Sequence, residues 1–399
     1  MRLGSETFRT LDDLDVSQRR VFFRADLNVP MEDGVITDDT RIRAILPTLQ
    51  ELLSKRAWVV LASHLGRPKG KPDPKFSMVP VGQRLAELLH REVIVPDECV
   101  GDGVKKVLID QIPAQVVLLE NLRYHAQEEA NDAEFAKALK GRTDLYLTDA
   151  FGALHRAHAS TAALPKLYEE RGIGRLVQSE LTHLTPLLGE PKRPYAVVLG
   201  GAKVSDKLKV IEHLLKRVDR IFLGGAMVFT FLKARGHQVG ASLVDPKMLF
   251  QVERVMEEAK KRGVEIVFPK DFMVAKSVAE PEPFEVTRDV RIPEGRMGLD
   301  IGPQTIELFT DKLKECATVF WNGPMGLFEV TPFDRGTLAV ANVLASMDDA
   351  VRVLGGGDSV AAAAKAGVLE KMTHVSTGGG ATLEFLEGRS LPGLQAVAV

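Results

Sequence analysis

Short runs rich in Val, Ile, Leu and Phe alternate with longer stretches of helical spacing along nearly the whole chain. Such runs, bounded by Gly, Asp, Asn or Pro, read as buried strands, and their alternation with helices predicts parallel-sheet α/β units. In the first half the strand candidates are VFFRADL (21–27), WVVLASH (58–64), EVIV (92–95), VVLLEN (116–121) and LYLTDAF (145–151). The second half offers YAVVLGG (195–201), RIFLGG (220–225), VEIVFP (264–269), TVFWNG (318–323), VRVLGGG (351–357) and HVSTGG (374–379). Between the groups, a helical stretch at 175–188 runs into GEPKRP. That proline-bearing exit marks a connecting helix and a boundary near 175–190. We expect two domains, 1–175 and 176–385, followed by a C-terminal segment, 386–399. The segment AEPEPFEVTRDVRIPEG breaks the alternation and reads as a small β excursion.

Composition narrows the partners. With 399 residues, 45% of them hydrophobic, the chain can bury two cores. A net charge of -2 removes the electrostatic case for nucleic-acid binding, so any basic site must be gathered locally by the fold. Cys99 and Cys316 are far apart and form no metal-spacing motif, which suits a reducing compartment. The stretch MRLGSETFRTLDDLD has no apolar core of a signal peptide, and no later run reaches the ~18 apolar residues of a membrane span. The expectation is a cytoplasmic protein with no membrane partner.

In open α/β sheets ligands bind beyond the carboxyl ends of the strands. There the first half presents RADLNVP, SHLGRP, ENLRYH and DAFGALHRAH, with Arg41 shortly after the first. These bring Asp26, Asn28, Arg41, His64, Arg67, Arg123 and Arg156 to one sheet edge. A lone Arg is usually solvated surface. Its recurrence in several strand-end loops instead suits a small ligand with more than one anionic group, because guanidinium forks bind carboxylate and phosphate bidentately. His155 and His158 receive no role.

The second half has no GxxxxGK[ST] and no complete GxGxxG, which excludes P-loop and dinucleotide fingerprints. Glycines instead close its strands: Gly200 and Gly201, Gly224 and Gly225, Gly323 and Gly326, and Gly355 to Gly357. In GGGDSVAAAAKAG three glycines run into a helix, whose free N–H groups and dipole favour phosphate. Asp358 beside them is either the helix N-cap or a ligand for a cation lying between it and the phosphate. Helical spacing in AKVSDKLKVIEHLLK sets Lys203 and Lys207 one turn apart at a helix start. Glu329 is either a ribose ligand or a surface residue.

In this order RADLNVP, SHLGRP, ENLRYH, DAFGALHRAHAS, GGAKVSDK, WNGPMGLFE, GGGDS and STGGGATLEFLEG resemble the phosphoglycerate kinases over almost the full length. The resemblance implies two doubly wound, Rossmann-like parallel-sheet domains facing each other across a cleft. It also implies reversible phosphoryl transfer from 1,3-bisphosphoglycerate to Mg-ADP by a monomer of glycolysis. The phosphoglycerate contacts would be the seven first-half residues named above. The nucleotide contacts would be Lys203, Lys207, Gly225, Gly298, Asn322, Glu329, Gly356, Gly357, Asp358 and Ser359, with Asp358 holding Mg²⁺. Arg41 and Lys207 would converge on the transferring group once the domains close about a hinge at 175–190 or in STGGGATLEFLEG, and the C-terminal segment would pack on the first domain. One departure stands out: Ala153 and Leu154 occupy positions that are usually Thr and Ala. Two rival readings remain at this stage. A nicotinamide oxidoreductase lacks its fingerprint, and a non-catalytic anion-binding scaffold does not account for Arg41, Lys207 and Asp358 together.

Overall fold

The computed structural model describes all of residues 1–399. The chain forms two compact units, Met1–Thr182 with Ser390–Val399, and His183–Arg389. The division falls inside the helix Arg175–Leu188.

Each unit is built on a six-stranded parallel sheet. In the first the order is Arg171–Ile173, Leu145–Asp149, Arg20–Ala25, Trp58–Ala62, Val116–Leu118, Val93–Ile94. In the second it is Glu265–Val267, Arg220–Leu223, Tyr195–Leu199, Thr318–Asn322, Val351–Gly355, His374–Val375. Numbered along the chain, the second sheet reads 3-2-1-4-5-6, the doubly wound order that opens a crevice where the winding reverses. The central strands are buried on both faces, as in Val116–Leu118 and Tyr195–Leu199, hence their unbroken apolar runs.

Every strand expected from the sequence is present, but most end two residues or more before the predicted end. The surplus residues, such as Gly200, Gly201 and Gly323, have left the ladder to form the loops at the sheet edge. The strand Arg171–Ile173 was not anticipated; it is short, contains a glycine, and holds its place by pairing with Leu145–Asp149. The β excursion is a three-stranded antiparallel sheet in which Glu285–Val286 and Met297–Ile301 flank Phe272–Ala275.

Buried aspartates anchor three helix starts. Asp149 accepts from Val177 N at 3.1 Å at the head of Arg175–Leu188. Asp271 accepts from Gln304 N and Thr305 N, and Asp300 from Gly336 N at 2.7 Å. Each carboxylate meets orphan N–H groups and the positive end of a helix dipole. The Asp149 carboxyl also accepts from Thr48 Oγ1, whose oxygen in turn accepts from Arg175 N at 2.8 Å. Gly174 leaves room for it, since a Cβ there would lie 2.4 Å from the carboxylate.

The C-terminal helix Pro392–Val397 closes on the first unit. Gly393 N donates to Leu154 O at 2.9 Å, Arg171 Nη2 to Ala398 O at 2.8 Å, and Val399 N to Thr7 O at 2.9 Å. Leu154 is fully buried beneath this segment, and a Cβ on Gly393 would lie 2.8 Å from its Cδ2. The larger side chain at this position thus serves packing.

Leu154→Ala should cost about 2–5 kcal/mol through the cavity it opens, read as an earlier urea transition. Burial pushes the Asp149 carboxyl up to about 7, against the opposing hydrogen bonds from Thr48 and the helix N–H groups. Between its unfolded value of about 4 and that folded value, the native state holds the extra proton, so this group makes stability fall as pH rises. Asp149→Asn, which keeps an acceptor for the helix, should flatten that slope; an unchanged pH profile of Tm would refute the assignment.

Candidate active site

Because the first sheet is parallel, the carboxyl ends of its strands deliver their loops to one edge. Beyond Arg20–Ala25, Arg41 Nη1 donates to Asp26 at 3.2 and 3.3 Å and to Asn28 O at 3.0 Å. Asn28 Oδ1 accepts from Gly66 N, and Gly66 O accepts from Arg123 Nη1, both at 2.8 Å. Both sides of Gly66 are thereby gripped, and the next residue, Arg67, stands exposed. Arg123 is buried, and its cation is disfavoured first by burial, with Glu129 acting in the opposite direction. Arg156 Nε donates to His155 Nε2 at 3.0 Å.

His64 is buried, and its pKa lies well below the ordinary histidine value because of that burial and then Arg24, Arg123, Arg41 and His158. His158 is pushed down to about 4, first by burial and then by Arg24, Arg123 and Arg156. Several guanidiniums therefore act on the same two rings. The structure brings the seven expected residues to one loop cluster, with Arg67 placed through its neighbour Gly66.

In the second unit two adjoining cavities meet at the winding reversal. One, about 420 Å³, is lined by Gly200, Gly201, Lys203, Lys207, Asn322, Gly356 to Ser359, Gly379 and Gly380, among others. The other, about 230 Å³ and more apolar, is lined by residues including Gly225, Phe229, Leu243, Met297, Gly298, Met325 and Glu329. Gly201, Ala202 and Asp358 border both. All ten expected nucleotide residues line one or the other.

Lys207 contacts Asn322 Oδ1, and Asn322 Nδ2 donates to Gly355 O at 2.7 Å. Burial lowers the Lys207 pKa, while Asp206 and Asp358 act in the opposite direction. Ser359 Oγ accepts from Gly323 N at 2.6 Å, tying the helix Gly357–Lys365 to the loop after Thr318–Asn322. Gly356 precedes that helix at φ 89°, where a Cβ would lie 2.7 Å from Asn322 Nδ2. Only glycine suits this turn. Asp358 lies in the first helical turn, exposed. Lys203 differs from expectation: the helix begins at Ser205, so Lys203 sits in the preceding loop, exposed at the cavity rim.

The family model described as phosphoglycerate kinase matches residues 11–389. The chain belongs to that family. A phosphoglycerate kinase of Anaeromyxobacter sp. (strain Fw109-5) is 51% identical over 98% of this chain and 99% of its own. That of Clostridioides difficile (strain 630) is 48% identical over 98% of each. Among solved structures, phosphoglycerate kinase from Coxiella burnetii superposes with a TM-score of 0.88 at 36% identity, covering 98% of this chain and 99% of that one. The Pyrococcus horikoshii OT3 enzyme gives 0.86 at 31% identity, over 98% of each.

Some components of this family member's site carried no sequence signal of their own. Phe229 lines the apolar cavity from an apolar run that reads as ordinary core, and Met325 from WNGPMGLFE, where the sequence singled out its neighbours Asn322, Gly323, Gly326 and Glu329 instead. Arg24, fully buried within a strand, and Glu128, fully buried in AQEEAN, look in sequence like surface charges. Gly379 and Gly380 were visible as glycines in STGGG, though read as a hinge rather than as cavity lining.

Gly356→Ala adds about 1–3 kcal/mol of backbone strain and crowds Asn322. It should raise the KM for Mg-ATP roughly tenfold or more while moving the KM for 3-phosphoglycerate little. Steady-state kinetics with each substrate varied in turn checks this.

Proposed function

We propose that the chain catalyses reversible transfer of a phosphoryl group between 1,3-bisphosphoglycerate and Mg-ADP, giving 3-phosphoglycerate and Mg-ATP. The observation that carries this reading is that one chain of the family holds both an arginine-lined strand-end cluster and a glycine-lined double cavity. Asp26, Asn28, Arg41, His64, Arg67, Arg123 and Arg156 are assigned to phosphoglycerate. The apolar cavity with Gly225, Gly298 and Glu329 suits a nucleoside, and the loop Gly356 to Ser359 with Lys203, Lys207 and Asn322 suits its phosphates.

Phosphoryl transfer asks little covalent work of a protein; positioning and charge stabilisation at the equatorial oxygens supply most of the rate. In the forward direction the bond from phosphorus to the acyl oxygen breaks and one to the terminal oxygen of ADP forms. In reverse the attacking 3-phosphoglycerate carboxylate is already ionised near neutral pH, so no general base is required. Arg41 and Lys207 are assigned to the transferring group, the partial burial of Lys207 strengthening its field there. The two ligand sites belong to different units, so turnover requires the units to bring their ligands together and exclude water from the acyl phosphate.

Asp358 is exposed beside the phosphate loop, and no cluster of three or more His, Cys, Asp and Glu side chains with metal-holding geometry occurs. That donor set fits magnesium, which keeps water and phosphate oxygens in its shell and needs only one or two carboxylates. When bound there, the ion would neutralise charge on the nucleotide phosphates. No helix is long and apolar enough to cross a membrane. The free, buried Cys99 and Cys316 support a cytoplasmic location, and the family resemblance supports a monomer.

A coupled assay with 3-phosphoglycerate and Mg-ATP tests the reaction, and absence of turnover would leave only a binding protein. Lys207→Ala should lower kcat by about 10²–10³, with phosphoglycerate binding little changed. Arg67→Ala or Arg123→Ala should chiefly raise the KM for 3-phosphoglycerate. An effect confined to the nucleotide KM would overturn the division of roles.

A further inference from the structure

Behind the arginine-lined edge lies a chain of buried polar groups to which the transfer reaction assigns no role. Arg24, on the strand Arg20–Ala25, and Glu128, on the short helix Ala126–Glu129, are both 0% exposed. Arg24 Nε donates to Ser160 Oγ at 2.8 Å, one terminal nitrogen donates to Ala25 O, and the other lies 3.3 Å from His64 Nδ1. Ser160 carries the link onward: its Oγ donates to Glu128 Oε1 at 2.5 Å and its N–H to Oε2 at 2.9 Å. One guanidinium is thus held by the neighbouring carbonyl of its own strand and faced from two other segments, at Ser160 and His64.

Two physical facts give this chain a consequence. A fully buried guanidinium among Arg41, Arg123 and Arg156 needs a counter-charge nearby, and Glu128, one serine away, is the carboxyl placed to supply it: burial pushes that carboxyl up, and Arg24 and the two hydrogen bonds from Ser160 act in the opposite direction. A guanidinium can also only donate, so the facing His64 Nδ1 must accept. A neutral imidazole has one ring proton, and with Nδ1 accepting, that proton resides on Nε2. The groups around the ring are Arg24, Arg41, Arg123 and His158, and with burial they oppose a second proton.

We propose that Arg24, Ser160 and Glu128 are positioning residues that fix His64 as its Nε2–H tautomer, so that the ring offers the anionic ligand a hydrogen-bond donor rather than an acceptor. The ligand half of this statement rests on the placement of phosphoglycerate at this edge. The tautomer half stands on the protein alone.

The test is 15N-resolved NMR of the histidine rings in the ligand-free protein near neutral pH, with His64→Gln identifying the signal. A single Nε2–H signature for His64 is expected, and a predominant Nδ1–H signature would overturn the proposal. Arg24→Lys keeps the charge but loses the fork. It should give mixed tautomers and raise the KM for 3-phosphoglycerate about tenfold, with kcat changed less than about threefold. An unchanged spectrum and KM in a folded Arg24→Lys protein would also overturn it. Should Arg24→Lys fail to fold, Glu128→Gln, which preserves size but removes the charge and one of the two oxygens that accept from Ser160, serves instead: the same KM shift is expected, with the KM for Mg-ATP unaltered. Equal shifts in both KM values would mark general damage and count against positioning. His64→Ala with an unchanged KM for 3-phosphoglycerate, alongside the expected wild-type spectrum, would remove the ligand placement while leaving the tautomer assignment.

Discussion

In a sheet whose strands all run the same way, every strand hands its following loop to the same edge, and the chemistry of this chain depends on that constraint. Asp26, His64, Arg123 and Arg156 come from loops separated by up to 130 residues, yet parallel pairing leaves them no other edge to occupy. The second sheet applies the same rule to glycines. Gly200 N donates to Asn322 O and Gly201 N to Pro324 O, so the loops after neighbouring strands fasten to one another before any ligand arrives. Such preorganisation matters because phosphoryl transfer draws its rate from placed charge rather than from covalent steps.

The near-zero net charge conceals strong local asymmetry. Gathering arginines at one edge would repel them from one another and from the interior, and the structure answers with carboxylates at different depths. Asp26 meets Arg41 at the surface, Glu129 faces Arg123 from its exposed side, and Glu128 counters Arg24 from within. Charges that cancel in the composition are thus ordered in space, with the arginines at the strand-end edge and one of their counter-ions, Glu128, buried behind them.

The sheets and the strand-end residues were legible in the sequence because each rests on a local pattern: an apolar run gives the strand, and the glycine or polar residue that ends it gives the loop. The connecting helix Arg175–Leu188 was legible for the same reason, since its apolar spacing runs into GEPKRP. Whatever depended on distant partners was not. Arg171–Ile173 becomes a strand through Leu145–Asp149, Lys203 falls outside its helix because the first turn begins at Ser205, and Glu128 differs from exposed Glu129 only in what the rest of the chain places over it. Leu154 stood out in the sequence only as a departure from the usual residue, because its partner, Gly393, lies nearly 240 residues away.

The C-terminal latch also bears on how the molecule is made. The second unit, His183–Arg389, is continuous in sequence, whereas the first is interrupted and takes ten residues, Ser390–Val399, from beyond the second. During synthesis the second unit can therefore be completed while the first still lacks the helix that covers Leu154. Residues 390–399 are made after the whole of the second unit, so the unit begun first is the later of the two to reach its full set of contacts.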